Sequence, residues 1–364
     1  MKGLEPSRLA ALDPKSSVST NSTTPACDCF GAANIQFNLI LKSNFFQGLV
    51  SPAFWLLLEL QFSSMKSVDL KDLAPKQAHA YLLSAVGPRP IAFASTISAD
   101  GQRNLSPFSY FNVFSSNPPV LIFSPARRVR NNTTKDTLHN AQSTKEVVIN
   151  VVNYSMVQQM SLASTEYDSD VDEFVKSGLT PIASETVAPY RVKEAPVQFE
   201  CKVNDIVALG DNGGAGNLII CEVKRMHIDE AILDDQEQIS MEKIDLVARM
   251  GGNWYCRANG DALFEVEKPL ATKGIGVDGI PKRIRESIFL SGNDLGMLGN
   301  VENLPKDAAV ADFAESYRIK EIFSNSSDGM EAREALHLYA KELLEENKVE
   351  KAWKALLCDK LNRI

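Results

Sequence analysis

Gly87–Asn112, GPRPIAFASTISADGQRNLSPFSYFN, is the stretch on which the fold turns. Ile91 and Phe93 fall on one face of an extended segment, with Ile97 two steps beyond Ser95, while the other face carries only Ala92, Ala94 and Thr96. A strand that is bulky on one side and small on the other packs a core with the first and admits a close approach on the second. Asp100-Gly101 supplies the positive backbone angles of a hairpin turn. Beyond it, Asn104, Ser106, Ser109 and Asn112 alternate with Leu105, Phe108, Tyr110 and Phe111 around Pro107, which predicts a polar loop facing a ligand.

Moving outward, strands dominate. Residues 197–204 alternate apolar and polar, 218–228 form a second long strand, and further strands are expected at 119–123, 146–152 and 246–250. Short helices are expected at 76–85, 134–140 and 156–163. The glycine-rich stretch 210–217 is followed by a strand, whereas a phosphate-cradling loop needs a helix after it, so a hairpin turn is the better description. Many antiparallel strands with a few peripheral helices make a mainly β barrel.

Residues 1–64 differ in character from the rest. A Ser/Thr/Pro-rich stretch runs to Pro25, and an apolar region follows from Phe30 to Phe62. Its longest run without a polar residue, Ala53–Leu58, is too short to span a bilayer, and the order is wrong for a secretory signal. Two alternatives stay open for this extension: a disordered or misassigned start, with translation beginning at Met65, or an amphipathic anchor or targeting segment. The net charge of -8 argues against a nucleic-acid or anionic-membrane partner. The six cysteines are scattered; Cys201, Cys221 and Cys256 lie in apolar or strand-like segments, as buried free thiols of a reducing cytoplasm would. Cys27 and Cys29 lack a second ligand pair, and His79, His139, His227 and His337 show no metal-binding or triad spacing, so no metal and no catalytic residue are assigned.

The segment from Arg89 to Asn112 resembles the signature of the flavin-reductase-like, FMN-binding split-barrel family, in particular its flavoredoxin-like branch. Similar blocks continue in order through residues 117–124, 135–138, 148–152, 172–174, 178–181 and 249–255. The resemblance implies an antiparallel Greek-key split β-barrel over residues 65–267; beyond it, the residues themselves read as a loop-rich extension at 268–307 and a helical tail at 308–364. It also implies bound FMN, a homodimer, and NADH or NADPH as reductant, with electrons passing to flavin or to a protein acceptor.

Residue by residue, the resemblance places the flavin ring against Leu105, Ser106, Pro107, Phe108 and Ser109, with Thr96 and Asn104 beside them. The phosphate falls to Ser124, Arg127, Arg128, Lys135, Asp136 and Thr137, where cations and hydroxyls coincide with an expected helix N-terminus. Trp254 and Tyr255 match a segment near the cofactor or a dimer contact, or are core aromatics. Some family members carry a histidine after Gly210-Asp211; here it is Asn212, which removes a catalytic histidine from that position. Hydride transfer between stacked rings requires no protein nucleophile or general base.

Gly274–Gly279 fits G-x-G-x-x-G, but no buried strand precedes it and only a short helix follows, so it is a loop leading away from the barrel. Ala332, Leu336, Tyr339 and Leu343 recur at helical spacing, and 349–361 continues as a second amphipathic helix, a hairpin suited to packing or dimer contact. Two functions remain: an NAD(P)H-dependent flavin oxidoreductase, and a non-enzymatic FMN-binding electron carrier. They differ in whether a nicotinamide can stack on the flavin.

Overall fold

A computed structural model describes residues 65–269 and 273–360. The expectations for residues 1–64 lie outside the described residues. Residues 65–85 form a short unit of their own: a 3₁₀ turn at Leu70–Asp72, capped by the Asp69 carboxylate, then α1 (Pro75–Ala85), which starts on a proline whose missing N–H costs nothing there.

The barrel strands are β1 (Ala92–Ile97), β2 (Arg103–Phe108), β3 (Phe111–Ser116), β4 (Pro119–Phe123), β5 (Glu146–Val151), β8 (Val197–Ala208) and β9 (Asn217–Ile228). They form one antiparallel sheet in the order β2-β1-β5-β8-β9-β4-β3. Two short ladders, β6 (Pro181–Ile182) with β7 (Arg191–Val192) and β10 (Leu246–Arg249) with β11 (Tyr255–Ala258), lie outside it.

The two edge strands β2 and β3 are separated in the chain only by Ser109 and Tyr110, so the sheet must roll until its edges approach. The Ser124 N–H donates to Tyr110 O across that seam at 2.9 Å, and the Phe108 and Phe123 rings meet with centroids 5.4 Å apart. Bulges in β3 and β8 add the local bend that rolling needs. The result is the split barrel expected from the sequence.

The stretch expected to be one polar loop after the turn is instead β2 and β3. Pro107 interrupts no ladder bond: Leu105 N–H points away from β1, and Pro107, two residues on, shares that outward direction on an edge strand. In the β1–β2 turn only Gly101 has positive φ, at 85°.

The small face of β1 also has an occupant of its own. Ala92 and Ala94 pack with Phe108, Leu121, Phe123, Ile149, Cys201 and Ile219 inside the barrel, and with Leu138 and Ala141 of α2 (Asp136–Thr144). Small residues there let a helix approach. The bulky face, Ile91, Phe93 and Leu105, packs outside against Met156 and Met160 near α3 (Val157–Leu162) and Phe174 of α4 (Glu173–Ser177). Cys201 and Cys221 are buried free thiols, while Cys256 is only partly covered.

A four-residue helix α5 (Met241–Ile244) precedes β10. Residues 275–358 build a second core around the fully buried Trp353, which binds Leu298 O through its indole N–H at 3.0 Å. Its helices are α6 (Lys282–Arg285), α7 (Gly292–Gly299), α8 (Asp307–Ala314), α9 (Tyr317–Asn325), α10 (Gly329–Glu345) and α11 (Val349–Leu357). The G-x-G-x-x-G segment belongs to this core: a Cβ on Gly274 would stand 2.4 Å from Gly299 O, so glycine serves backbone packing. No described helix is long and apolar enough to cross a membrane.

Candidate functional site

The connection from β4 to β5 leaves one side of the sheet and returns on the other, carrying a basic loop and then α2 past the seam. Lys135 is the N-cap of α2, with extended backbone and no side chain capping the first turn. The helix therefore offers uncapped N–H groups at its positive end. The Lys135 ammonium stands 5.1 Å from the centroid of the Phe108 ring. None of the ion pairs among the described residues uses it. Burial, and then Arg128 beside it, push its pKa down, the signature of a cation lacking enough counter-charge.

Phe108 leads across the seam to Phe123, and Ser124 follows at the end of β4. The Ser124 Oγ is buried with no hydrogen-bond partner among the described residues. Gly216 makes room for it, since a Cβ there would fall 2.6 Å from Ser124 Oγ. The β8–β9 hairpin also braces the basic loop: Arg127 N–H donates to Ala215 O at 2.8 Å and Gly214 N–H to Arg127 O at 2.9 Å. Gly213 passes so close to the backbone of Arg128 and Val129 that a Cβ would meet it at 3.0 Å. The glycine-rich stretch is thus a turn, as expected, whose glycines let it lie against the basic loop.

Deeper in, Asn104 Nδ2 donates to Thr137 Oγ1 at 2.9 Å and to Thr96 Oγ1 at 3.1 Å, and Asn140 Nδ2 donates to the same Thr96 oxygen at 3.1 Å. All four are buried, and the network locks α2 against β1 and β2. Buried amides and hydroxyls that satisfy one another hold a position well, because releasing one leaves an unpaired polar group.

The structure therefore brings Phe108, Ser124, Lys135 and the start of α2 together, with Thr96, Asn104 and Thr137 behind them. Ser106, Pro107 and Ser109 are half-buried at the free edge of β2. Leu105 is different: its side chain is buried in the outer core and its N–H is taken by Glu173 Oε2 at 3.0 Å. The Glu173 carboxyl is pushed up in pKa by burial against that bond. Arg127 binds Asn132 through Oδ1 and the carbonyl, both at 2.8 Å, and so shapes its loop. Arg128 binds Thr133 Oγ1 at 3.1 Å and meets Glu166 at 3.4 Å. The Asp136 carboxylate accepts from Ser169 Oγ at 3.2 Å.

Trp254 lies at the tip of the β10–β11 hairpin and is 77% exposed, which excludes a core role. The hairpin reaches the seam through Arg89, whose guanidinium donates to Met250 O at 2.9 Å and to Ser109 Oγ at 3.5 Å.

Arg89, Asn140, Glu173 and the close-packed Gly213 and Gly216 were not singled out from sequence. Only Asn140 had a local signal: it stands three residues after Thr137, on the same helix face. The others act through partners far away in the chain.

The flavin reductase like domain model matches residues 85–241. An uncharacterized protein of Aquifex aeolicus is 40% identical over 197 residues, 54% of this chain and 98% of that protein. The chain belongs to the flavin reductase-like family. Among solved structures, nitrilotriacetate monooxygenase component B from Bacillus cereus is 28% identical, with a TM-score of 0.53 over 56% of this chain and 100% of its own. The 2-nitrobenzoate 2-nitroreductase of Pseudomonas fluorescens, 24% identical with a TM-score of 0.50, covers 57% of this chain and 100% of its own, and shares the fold. The family match ends at residue 241, before the helical unit that follows the barrel.

Proposed function

We propose that the chain is an FMN-binding oxidoreductase, a flavin reductase that takes hydride from NADH or NADPH and passes electrons to free flavin or a protein acceptor. The observation that carries this reading is the Lys135 ammonium, which among the described residues has no ion-pair partner and stands at the start of α2 beside the Phe108 ring, whose other neighbour Phe123 leads into Ser124. These groups fit a phosphate: an uncapped helix N-terminus, a half-buried cation and a serine oxygen with no partner among the described residues.

In this reading Lys135, Ser124 and Arg128 hold the phosphate, with Thr137 and Asp136 contributing main-chain N–H groups. Thr96, Asn104, Thr137 and Asn140 keep α2 fixed so that these donors do not reorganise. Ser106, Pro107, Phe108 and Ser109 present the β2 edge to the ring, Phe108 covers it from water, and Arg89 fixes the Ser109 side chain. Bound FMN supplies a ring that accepts hydride from a reduced nicotinamide and releases electrons onward. A homodimer and a cytoplasmic site of action belong to the same proposal, on the family resemblance and the free thiols.

Anaerobic mixing of the flavin-loaded chain with NADH and then NADPH tests it. Rapid bleaching of the flavin absorbance with either is expected. A flavin that binds but stays oxidised would replace the reductase with the second reading, an electron carrier reduced by another protein.

A further inference from the structure

Between α3 and α4 the chain runs along the candidate site and touches each part of it. The Glu166 carboxylate meets Arg128 Nε at 3.4 Å and Arg130 at 2.9 Å, and its charge also reaches Lys135. Three residues on, Ser169 Oγ donates to Asp136 at the start of α2. Asp170 O then accepts from Gln102 Nε2 at 3.2 Å, Asp172 pairs with Arg103, and Glu173 accepts the Leu105 N–H. Residues 166–173 are thus a strap fastened in turn to the basic loop, the helix start and the free edge of β2.

Its two ends are not equally firm. At Glu173 the bond is half-buried, whereas the Glu166 side chain is 48% exposed and that of Arg130 78% exposed. Exposed pairs of this kind are worth little and exchange readily. A carboxylate brings one negative charge to the basic loop; a phosphate monoester brings about two, with three acceptor oxygens. The buried Ser124 hydroxyl, which finds no partner among the described residues, is a group the carboxylate does not serve.

We propose that Glu166 is a specificity-determining counter-ion, holding Arg128 and Arg130 until the phosphate monoester of a flavin displaces it and frees that end of the strap. The proposal rests on the assignment of this cluster as a flavin phosphate site. Riboflavin, which has no phosphate, has nothing to exchange with the carboxylate and leaves the strap in place.

The test titrates the full chain and its Glu166→Gln variant with FMN and with riboflavin at low ionic strength, and follows amide hydrogen exchange across residues 164–173. The variant is expected to bind FMN about two- to fivefold tighter, the range an exposed ion pair allows, with riboflavin unchanged. In the unsubstituted chain, FMN but not riboflavin raises exchange at residues 165–169. FMN binding that is unchanged or weaker in the variant, or a strap that gains protection when FMN binds, overturns the counter-ion role while leaving the flavin site standing. If neither flavin binds the unsubstituted chain, the flavin site itself falls, and the proposal with it.

Discussion

Removing the Lys135 charge gives the sharpest test of the proposed phosphate site. In Lys135→Ala the half-buried ammonium beside Phe108 disappears, while the buried network of Thr96, Asn104, Thr137 and Asn140 keeps α2 in place. A full charge pair at about 4 Å is worth roughly 4 kcal/mol per unit charge at an effective dielectric of 20, an upper bound. Arg128 remains nearby and water reaches part of the site, so the net loss is that of one charge-assisted hydrogen bond, about 1.5–3 kcal/mol. FMN should therefore bind roughly ten- to hundredfold more weakly, with riboflavin changed by less than about threefold.

Flavin fluorescence titration of the two ligands measures both. The pH dependence has a defined sign. Because burial and Arg128 lower the Lys135 pKa, its proton leaves at a lower pH than that of a free lysine, so FMN affinity declines as pH rises through that lowered value. Riboflavin should show no such step, and the variant should lack it for FMN. Equal weakening of both ligands, or an unaffected FMN constant, would refute the assignment.

Two further outcomes concern stability. Gly216→Ala places a methyl 2.6 Å from Ser124 Oγ, so one of them must move. An overpacking loss of about 1–3 kcal/mol is expected, together with weaker FMN, and a thermal melt matching the unsubstituted chain would show that the contact is not tight. Glu200 is fully buried. Burial raises its pKa, but hydrogen bonds from the Thr186 hydroxyl, Glu185 N–H, His227 and Thr186 N–H outweigh it and bring it to about 2. Since that value lies below the unfolded one, the stability it contributes is present above about pH 4.5 and lost as pH falls toward 2. Urea titrations should show the unsubstituted chain losing about 1–3 kcal/mol more than Glu200→Gln across that window, and parallel profiles would mean the carboxylate is not held this way.

The alternation of residues 91–97, the strands at 119–123 and 197–228, and the cation-rich helix start at Lys135 were legible in the sequence because each is local: a period of two, a turn, a charge run. So was the family, through motifs in order. Less legible was everything that depends on rolling the sheet. The segment after Asp100-Gly101 contains the same residues whether it is a loop or two strands; it becomes β2 and β3 because closing the barrel gives each a partner.

By itself, then, the sequence determined a mainly β barrel and the kinship with flavin reductase-like proteins, and it nominated residues for the two ends of a flavin. Tertiary structure alone decided which groups are still available to it. The small face of β1 is covered by α2, Leu105 N–H is spent on Glu173, and Trp254 stands on an exposed hairpin, whereas among the described residues Ser124 Oγ has no hydrogen-bond partner and the Lys135 ammonium no ion-pair partner. The reason is that a hydrogen bond or an ion pair is exclusive: residue type fixes what a side chain can offer, but only long-range packing determines whether the offer has already been taken.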